Sequence, residues 1–179
     1  LNDRGIYVHE MDQVLIRDNQ IFEHVTEGIR LEEIDQAQLS SNILDGLVDG
    51  DRFTDDGIVL EEVNTAWVSN TIVKNCQFNG IRAHHSNVIL NAATSINNNE
   101  TGVLFKDNAT ADWALSVGTC SCADIINNGT GMKGNNMVLH IDADENQMIC
   151  NSPTPMPPNR FDGNTTVFDI CYSNIAINN

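Results

Sequence analysis

The chain has 179 residues, enough for one domain with a sizeable core, and a hydrophobic content of 41% argues against wholesale disorder. Nine Lys plus Arg against 25 Asp plus Glu give a net charge of −16, a surface that repels nucleic-acid phosphates and anionic lipid heads, so a nucleic-acid partner is not expected. No apolar run reaches the length of about 18 residues that a membrane span needs.

Leu1-Asn2-Asp3-Arg4 is polar, carries no initiator Met and leads straight into a strand pattern. It is not a signal peptide, and the chain reads as a segment of a longer protein. Gly5-Ile6-Tyr7-Val8 then opens a tetrapeptide theme: Gly, an aliphatic residue, any residue, an apolar one. The theme returns as Gly28-Ile29-Arg30-Leu31, Gly57-Ile58-Val59-Leu60, Gly80-Ile81-Arg82-Ala83 and Gly102-Val103-Leu104-Phe105, and in degenerate form as Gly131-Met132-Lys133-Gly134. About nine residues after each Gly comes a second short alternation: Val14-Leu15-Ile16, Ala37-Gln38-Leu39, Ala66-Trp67-Val68, Val88-Ile89-Leu90. Ile21, Leu44, Val73 and Ile96 mark a third apolar point. Three short strands per repeat, separated by polar bends, predict a triangular coil. Two repeats are longer, through an acidic loop at Asp49–Asp56 and an insertion around Cys120–Asp124. Past Asn136 the period is lost. Residues 137–141 read as a strand, Pro153–Pro158 as a rigid loop, and residues 167–170 and 175–177 as strands of one more coil. The expected division is therefore a regular region, 1–136, and an irregular continuation, 137–179.

A single coil cannot bury its own apolar positions. Stacked coils can, by pairing strands in parallel about 4.8 Å apart. The inward columns would be Ile6, Ile29, Ile58, Ile81, Val103 and Val8, Leu31, Leu60, Ala83, Phe105. The repeat glycines suit bends with positive φ, and asparagines at bends (Asn19, Asn42, Asn70, Asn75, Asn97, Asn98, Asn127) can stack and hydrogen-bond along the axis. The expected fold is all-β: a right-handed single-stranded parallel β-helix of six to seven coils. Over residues 4–134 the Gly-Ile-x-Leu theme with its Asn-rich turns resembles the pectate-lyase-like superfamily. That resemblance implies the solenoid but no single activity, because the superfamily spans lyases, hydrolases, epimerases and non-enzymatic modules.

By alternation, Tyr7, Arg30, Val59, Arg82 and Leu104 form one outward column. His9, Glu32, Glu61, His84 and Lys106 form the next, and Glu10, Glu33, Glu62, His85 and Asp107 lie at the strand end. If the protein is an enzyme, the catalytic set is Glu32, Glu61, His84 and Arg82. Two carboxylates near 5 Å can serve as acid and nucleophile on a glycosidic bond, and His or Arg can take a proton beside a uronate. The plainer alternative is a solvated ladder of paired charges. Asp55-Asp56-Gly57 is similar to the paired aspartates of polygalacturonase-like hydrolases, but the Gly-His-Gly turn and Arg-Ile-Lys strand that accompany them are missing. Asp51, Asp55 and Asp56 offer hard oxygens for calcium without EF-hand spacing. His84-His85 makes a poor metal pair, because consecutive strand residues point to opposite sides.

Trp67 faces outward by alternation and suits a sugar or protein contact, with Arg30 and Tyr7 as further binding candidates and Trp113 a second possible stacking platform. Sequons at Asn99, Asn108, Asn128 and Asn164 point to a secreted glycoprotein. In that setting Cys150 and Cys171 are the expected disulfide, and the odd total of five cysteines leaves a free thiol. The expectation is a non-catalytic extracellular module that binds glycan or a neighbouring extracellular protein, with no cofactor unless calcium, and with its solenoid ends capped by further chain or by assembly. The alternative is an enzyme acting on a polysaccharide through the first outward face.

Overall fold

The computed structural model describes residues 2–52, 54–90, 93–107, 109–113, 124–135, 138–142, 163–171 and 174–178, and every described regular element is a β-strand. Two strands trace the first coil. β1 (Asn2–Arg17) turns a corner at Glu10 without losing its pairing, and β2 (Gln20–Phe22) closes the coil. The second coil repeats this as β3 (His24–Ser40) and β4 (Ile43–Asp45), followed by a small antiparallel hairpin, β5 (Leu47–Val48) and β6 (Asp51–Arg52). The third coil is β7 (Asp56–Ser69) and β8 (Ile72–Lys74). The fourth has the corner between separate strands, β9 (Asn79–His84) and β10 (Asn87–Leu90), and ends in β11 (Ser95–Asn97). Next come β12 (Thr101–Lys106), β13 (Thr110–Trp113) and β14 (Asp124–Ile126), then β15 (Thr130–Asn135) and β16 (Val138–Asp142). The last described coil is β17 (Thr166–Cys171) and β18 (Asn174–Asn178).

Apart from the hairpin, every pairing is parallel and joins equivalent positions of successive coils. One register line runs Ile6, Ile29, Ile58, Ile81, Val103, Met132, Phe168, and its neighbour Val8, Leu31, Leu60, Ala83, Phe105, Gly134, Ile170. From Ile29 to Met132 and from Leu31 to Phe105 these residues are at 0% exposure, so the apolar period seen in the sequence fills the bore of a parallel β-helix. Pairing does not stop at Asn136. Thr130 aligns with Thr166, and Val138 with Asn174, so coils continue in register beyond the point where the sequence period fades.

The corners use some of the expected asparagines, Asn70, Asn75, Asn98 and Asn127, but not the repeat glycines. Positive φ falls on Glu10, Glu33, Glu62, His85 and Asp107, between 44° and 56°, so a single left-handed residue turns each coil from its first strand to its second. A second corner uses Asp18, Ser41, Asn70 and Ala93, and a third Glu23, Asn75, Asn98 and Asn127. The repeat glycines are not among the positive-φ residues; Gly50 and Gly163 are. Their reason is space. A Cβ on Gly28 would sit 2.7 Å from the carbonyl oxygen of Gly57 and 2.7 Å from a methyl of Leu44. A Cβ on Gly57 would meet Val73 at 2.2 Å and the Gly80 oxygen at 2.6 Å. Glycine is required where one coil's corner nests against the next.

Buried polar ladders tie the coils at two corners. In one, Asn19 donates to Asn42 Oδ1 at 3.0 Å and Asn42 Nδ2 to the Ile16 carbonyl at 3.0 Å; Thr71 and Thr94 continue the column. In the other, the Cys76 amide donates to Asn99 Oδ1 at 2.8 Å. The Asn99 amide donates to Asn128 Oδ1 at 2.9 Å, and the Asn128 amide to Asn164 Oδ1 at 2.8 Å. The side-chain nitrogens of Asn128 and Asn164 donate to the carbonyls of Ile96 (3.1 Å) and Ile125 (2.8 Å). Each side chain thus satisfies backbone groups that a corner would otherwise leave unpaired. His24 occupies the equivalent place in an earlier coil. Its Nδ1 is buried without a hydrogen-bond partner, and the ring lines a cavity of about 10 Å³ with Leu44, Thr54 and Cys76. Burial holds the His24 imidazole below its usual pKa.

Candidate functional site

The first outward face follows from register. His9, Glu32, Glu61, His84 and Lys106 stand in line, with Tyr7, Arg30, Val59, Arg82 and Leu104 beside them, as the alternation requires. Arg30 is the hub of this face. Its guanidinium reaches Glu27 at 3.2 Å, Glu32 at 3.4 Å and Glu61 in a short contact. Tyr7 donates to Glu32 at 2.9 Å, and Arg4 binds Glu27 at 2.6 Å while its guanidinium lies 5.0 Å from the Tyr7 ring centre. Two coils beyond Arg30, His84 bridges Glu61 (3.6 Å) and Asp107 (3.3 Å). Arg82 turns away from this line and binds Asp56 at 2.8 Å. Val59 is only 1% exposed, because the stems of its column neighbours Arg30 and Arg82 close over it.

The electrostatics follow the contacts. The Tyr7 hydroxyl, then the Arg30 guanidinium, hold the Glu32 carboxyl below its usual range, and donation to Glu32 raises the Tyr7 phenol. For Glu27, burial works upward but is outweighed by hydrogen bonds from Arg4 and Thr26 and by the field of Arg30, so its carboxyl is also held low. Arg30 is raised by its three carboxylates in spite of partial burial. A glycosidase needs one carboxyl kept protonated and another free to attack. Here Glu32 is stabilised as an anion, and Glu61 is bound to both Arg30 and His84.

Sequence reasoning missed part of this network. The residue just before each repeat glycine forms its own column, Arg4, Glu27, Asp56, Asn79, Thr101, Thr130, Thr166. Its regular position was the available signal. Asp56, read as a calcium ligand, is 6% exposed and committed to Asn79 (2.6 Å) and Arg82. Asp51 lies on the hairpin, and Asp55 is raised by burial and by the neighbouring Asp56 and Glu27 charges. Among the described residues the compact group of metal-ligating atoms is instead His9, Glu10 and Glu33. The argument against His84-His85 also changes. His85 is a left-handed corner residue, so it does not flip to the far side, and the two rings stack at 4.2 Å.

Trp67 faces outward on the leg of the coil that follows the first corner and is half-buried, in register with Leu15, Gln38 and Ile89. The flanking columns are Gln13, Gln36, Thr65 and Arg17, Ser40, Ser69, with Asn87 preceding Val88 at the start of β10. Among the described residues, Arg17 is the charged residue in these columns over the first four coils; exposed Asp12 and Asp35 adjoin Gln13 and Gln36, and Asp112 follows Ile89 in the Trp67 column. Trp113 aligns with Ile141.

The sequons fall differently from expectation. Asn99 and Asn128 are 1% and 2% exposed, and their side-chain nitrogens donate within the ladder. Asn164 donates likewise to Ile125. A sugar has no room on the buried nitrogens of Asn99 and Asn128, so the expectation of glycosylation at these two is corrected to a structural role, which half-buried Asn164 shares through its ladder bond. The sequons at Asn99 and Asn128 therefore lend no weight to an extracellular setting. Asn108, Cys150 and the Pro-rich stretch lie outside the described residues, as does the Cys171 side chain of the expected disulfide. Cys76 is buried, with its thiol facing the Lys74 carbonyl at 3.7 Å. Among the described residues no helix is long and apolar enough to cross a membrane.

The stacked parallel coils and their interior columns define a β-helix repeat protein. The chain belongs to the right-handed β-helix family, whose model, described as a right handed beta helix region, matches residues 1–101. Comparisons with curated proteins and with solved structures found no match.

Proposed function

We propose that the chain is a non-catalytic recognition module that binds a glycan along the outer surface formed by the legs that follow the first corner of each coil. The observation that carries this reading is the composition of that surface. In a chain of net charge −16, it presents Trp67 among Gln36, Gln38, Thr65, Ser69 and Asn87. An aromatic face for stacking, with amide and hydroxyl groups spaced about 4.8 Å from coil to coil, suits the alternating apolar and hydroxylated faces of a polysaccharide. The other outward face supports the non-catalytic half of the reading, because its carboxylates are engaged by Arg30, Arg82 and His84.

Affinity electrophoresis through gels containing neutral and uronic polysaccharides tests the proposal, alongside a reducing-end release assay. The wild type should be retarded by at least one polysaccharide without depolymerising it. Trp67→Ala and Gln38→Ala should each relieve the retardation while keeping the wild-type circular dichroism spectrum. Retardation by no polysaccharide, or release of reducing ends that depends on Glu61, would overturn it.

A further inference from the structure

The geometry points to a divalent transition-metal site at the first corner of the first two coils, formed by His9, Glu10 and Glu33, and independent of the glycan-binding reading. Donor atoms of the three residues all lie within 4.8 Å of one another. His9 Nε2 is 3.5 Å from Glu10 Oε1 and 3.4 Å from Glu33 Oε1. A charge-assisted hydrogen bond would bring these atoms to about 2.8 Å. A tetrahedral ion bound to nitrogen and oxygen at about 2.1 Å sets its ligands about 3.4 Å apart. The separations are those of the edge of such a tetrahedron.

The backbone explains how the three meet. In an ordinary strand, His9 and Glu10 would point to opposite faces. Glu10 is left-handed, with φ 55°, and this turns its side chain back to the side of His9. Glu33, also at φ 55°, is the corner residue of the next coil, set beside Glu10 by the register that pairs His9 with Glu32. The sheet thus holds two carboxylates side by side in spite of their repulsion, and the imidazole completes the set. The His9 ring is itself positioned by parallel stacking on Tyr7, with ring centres 6.3 Å apart.

One imidazole and two carboxylates form a borderline donor set suited to zinc and its first-row neighbours. Calcium takes about six to eight oxygens and gains little from a nitrogen. The side chains of His9, Glu10 and Glu33 are 36%, 69% and 52% exposed, which leaves open positions for water or for a ligand atom. The same repeat positions recur three coils on as His84, His85 and Asp107. There the two rings stack at 4.2 Å, so one site is expected rather than two.

Isothermal titration of the untagged, metal-stripped full chain with zinc chloride, in excess magnesium to occupy loose carboxylates, tests the site. One equivalent should bind. His9→Gln and Glu33→Gln should each weaken binding on the order of tenfold or more, while His85→Ala leaves it unchanged. All three positions are surface-facing, and circular dichroism checks that the variants keep their fold. Cobalt should give the intense visible absorption of tetrahedral coordination, lost in His9→Gln. Absence of stoichiometric zinc binding, undiminished binding by His9→Gln, or a loss that follows His85→Ala instead would overturn the proposal.

Discussion

Replacing Asn99 by Ala tests whether the interior asparagine ladder holds the coils together. The Asn99 side chain accepts from the Cys76 amide at 2.8 Å and donates to Asn128 Oδ1 at 3.1 Å. Its own backbone amide also donates to Asn128 Oδ1, at 2.9 Å, and survives the change. Truncation therefore removes the acceptor of the Cys76 N–H, in a residue that is 1% exposed, and the longer bond to the Val73 carbonyl at 3.5 Å. A buried, unsatisfied amide costs about 1–3 kcal/mol, and the small void adds to it, so the expected loss is about 2–4 kcal/mol. That is a large part of the roughly 5–15 kcal/mol that keeps a domain folded. Asn99→Asp sharpens the test. It keeps the acceptor for Cys76 but sets a carboxylate oxygen against Asn128 Oδ1, so it should be at least as destabilising at neutral pH and recover partly once acid lets the carboxyl donate. Urea unfolding followed by circular dichroism, with Asn97→Ala as a control expected within about 0.5 kcal/mol, measures all three. If Asn99→Ala lowers the midpoint no more than the control does, the ladder is not a structural tie and the argument fails.

Gly80→Ala should destabilise by about 3 kcal/mol or more, because its Cβ would lie 2.4 Å from an Ile96 methyl and 2.7 Å from the Gly102 oxygen. Gly50→Ala has open space but φ +93°, and should lose only about 1 kcal/mol in the same urea assay. Stability should also decline in two stages as pH falls. The folded state lowers the His24 pKa, so below about pH 6.5 the unfolded chain binds more protons and stability drops, levelling off below the folded value. Glu27, Glu32 and Asp45 have lowered folded pKa values, so their contribution is complete above the ordinary carboxylate range and is lost as pH passes down through those folded values. Urea midpoints measured from pH 8 to 3 should show both stages. His24→Gln should flatten the first, and an unchanged slope between pH 7 and 5 in that variant would contradict the assignment.

Much of the architecture was legible because a solenoid writes its geometry directly into a period. Ile6, Ile29, Ile58, Ile81 and Val103 recur at the interval of a coil and stack in register. The line from Glu32 through Glu61 to His84 could be read in the same way. What could not be read was the conformation of the corners. Glu10, Glu33 and His85 are not residue types whose composition announces a left-handed backbone, so His84 and His85 were read by plain alternation and Glu10 and Glu33 only as a column at the strand end. The unread corner hid the meeting of His9 with Glu10 and of His84 with His85. The sequons misled for a related reason. Asn-x-Thr describes an acceptor on the surface, whereas these asparagines follow a corner and point inward. The network around Arg30 depends on where a long side chain reaches, which spacing alone does not determine. The hairpin after β4 was in principle visible in Asp49-Gly50, the pair that favours a tight two-residue turn.

The glycine column has a consequence for how such a chain can diverge. Each of these glycines keeps clear a volume that belongs to another coil: Gly5 makes room for the Gly28 carbonyl, Gly28 for Gly57, Gly57 for Gly80, Gly80 for Gly102 and Gly102 for Gly131. The fitness of a residue there is therefore decided by the neighbour stacked on it and only secondarily by its own conformation. Substitutions in one repeat would have to be answered by movement in the next, so adjacent repeats should drift as linked pairs. A repeat lifted from one position and inserted at another would fit only if the neighbour it meets offers the same recess.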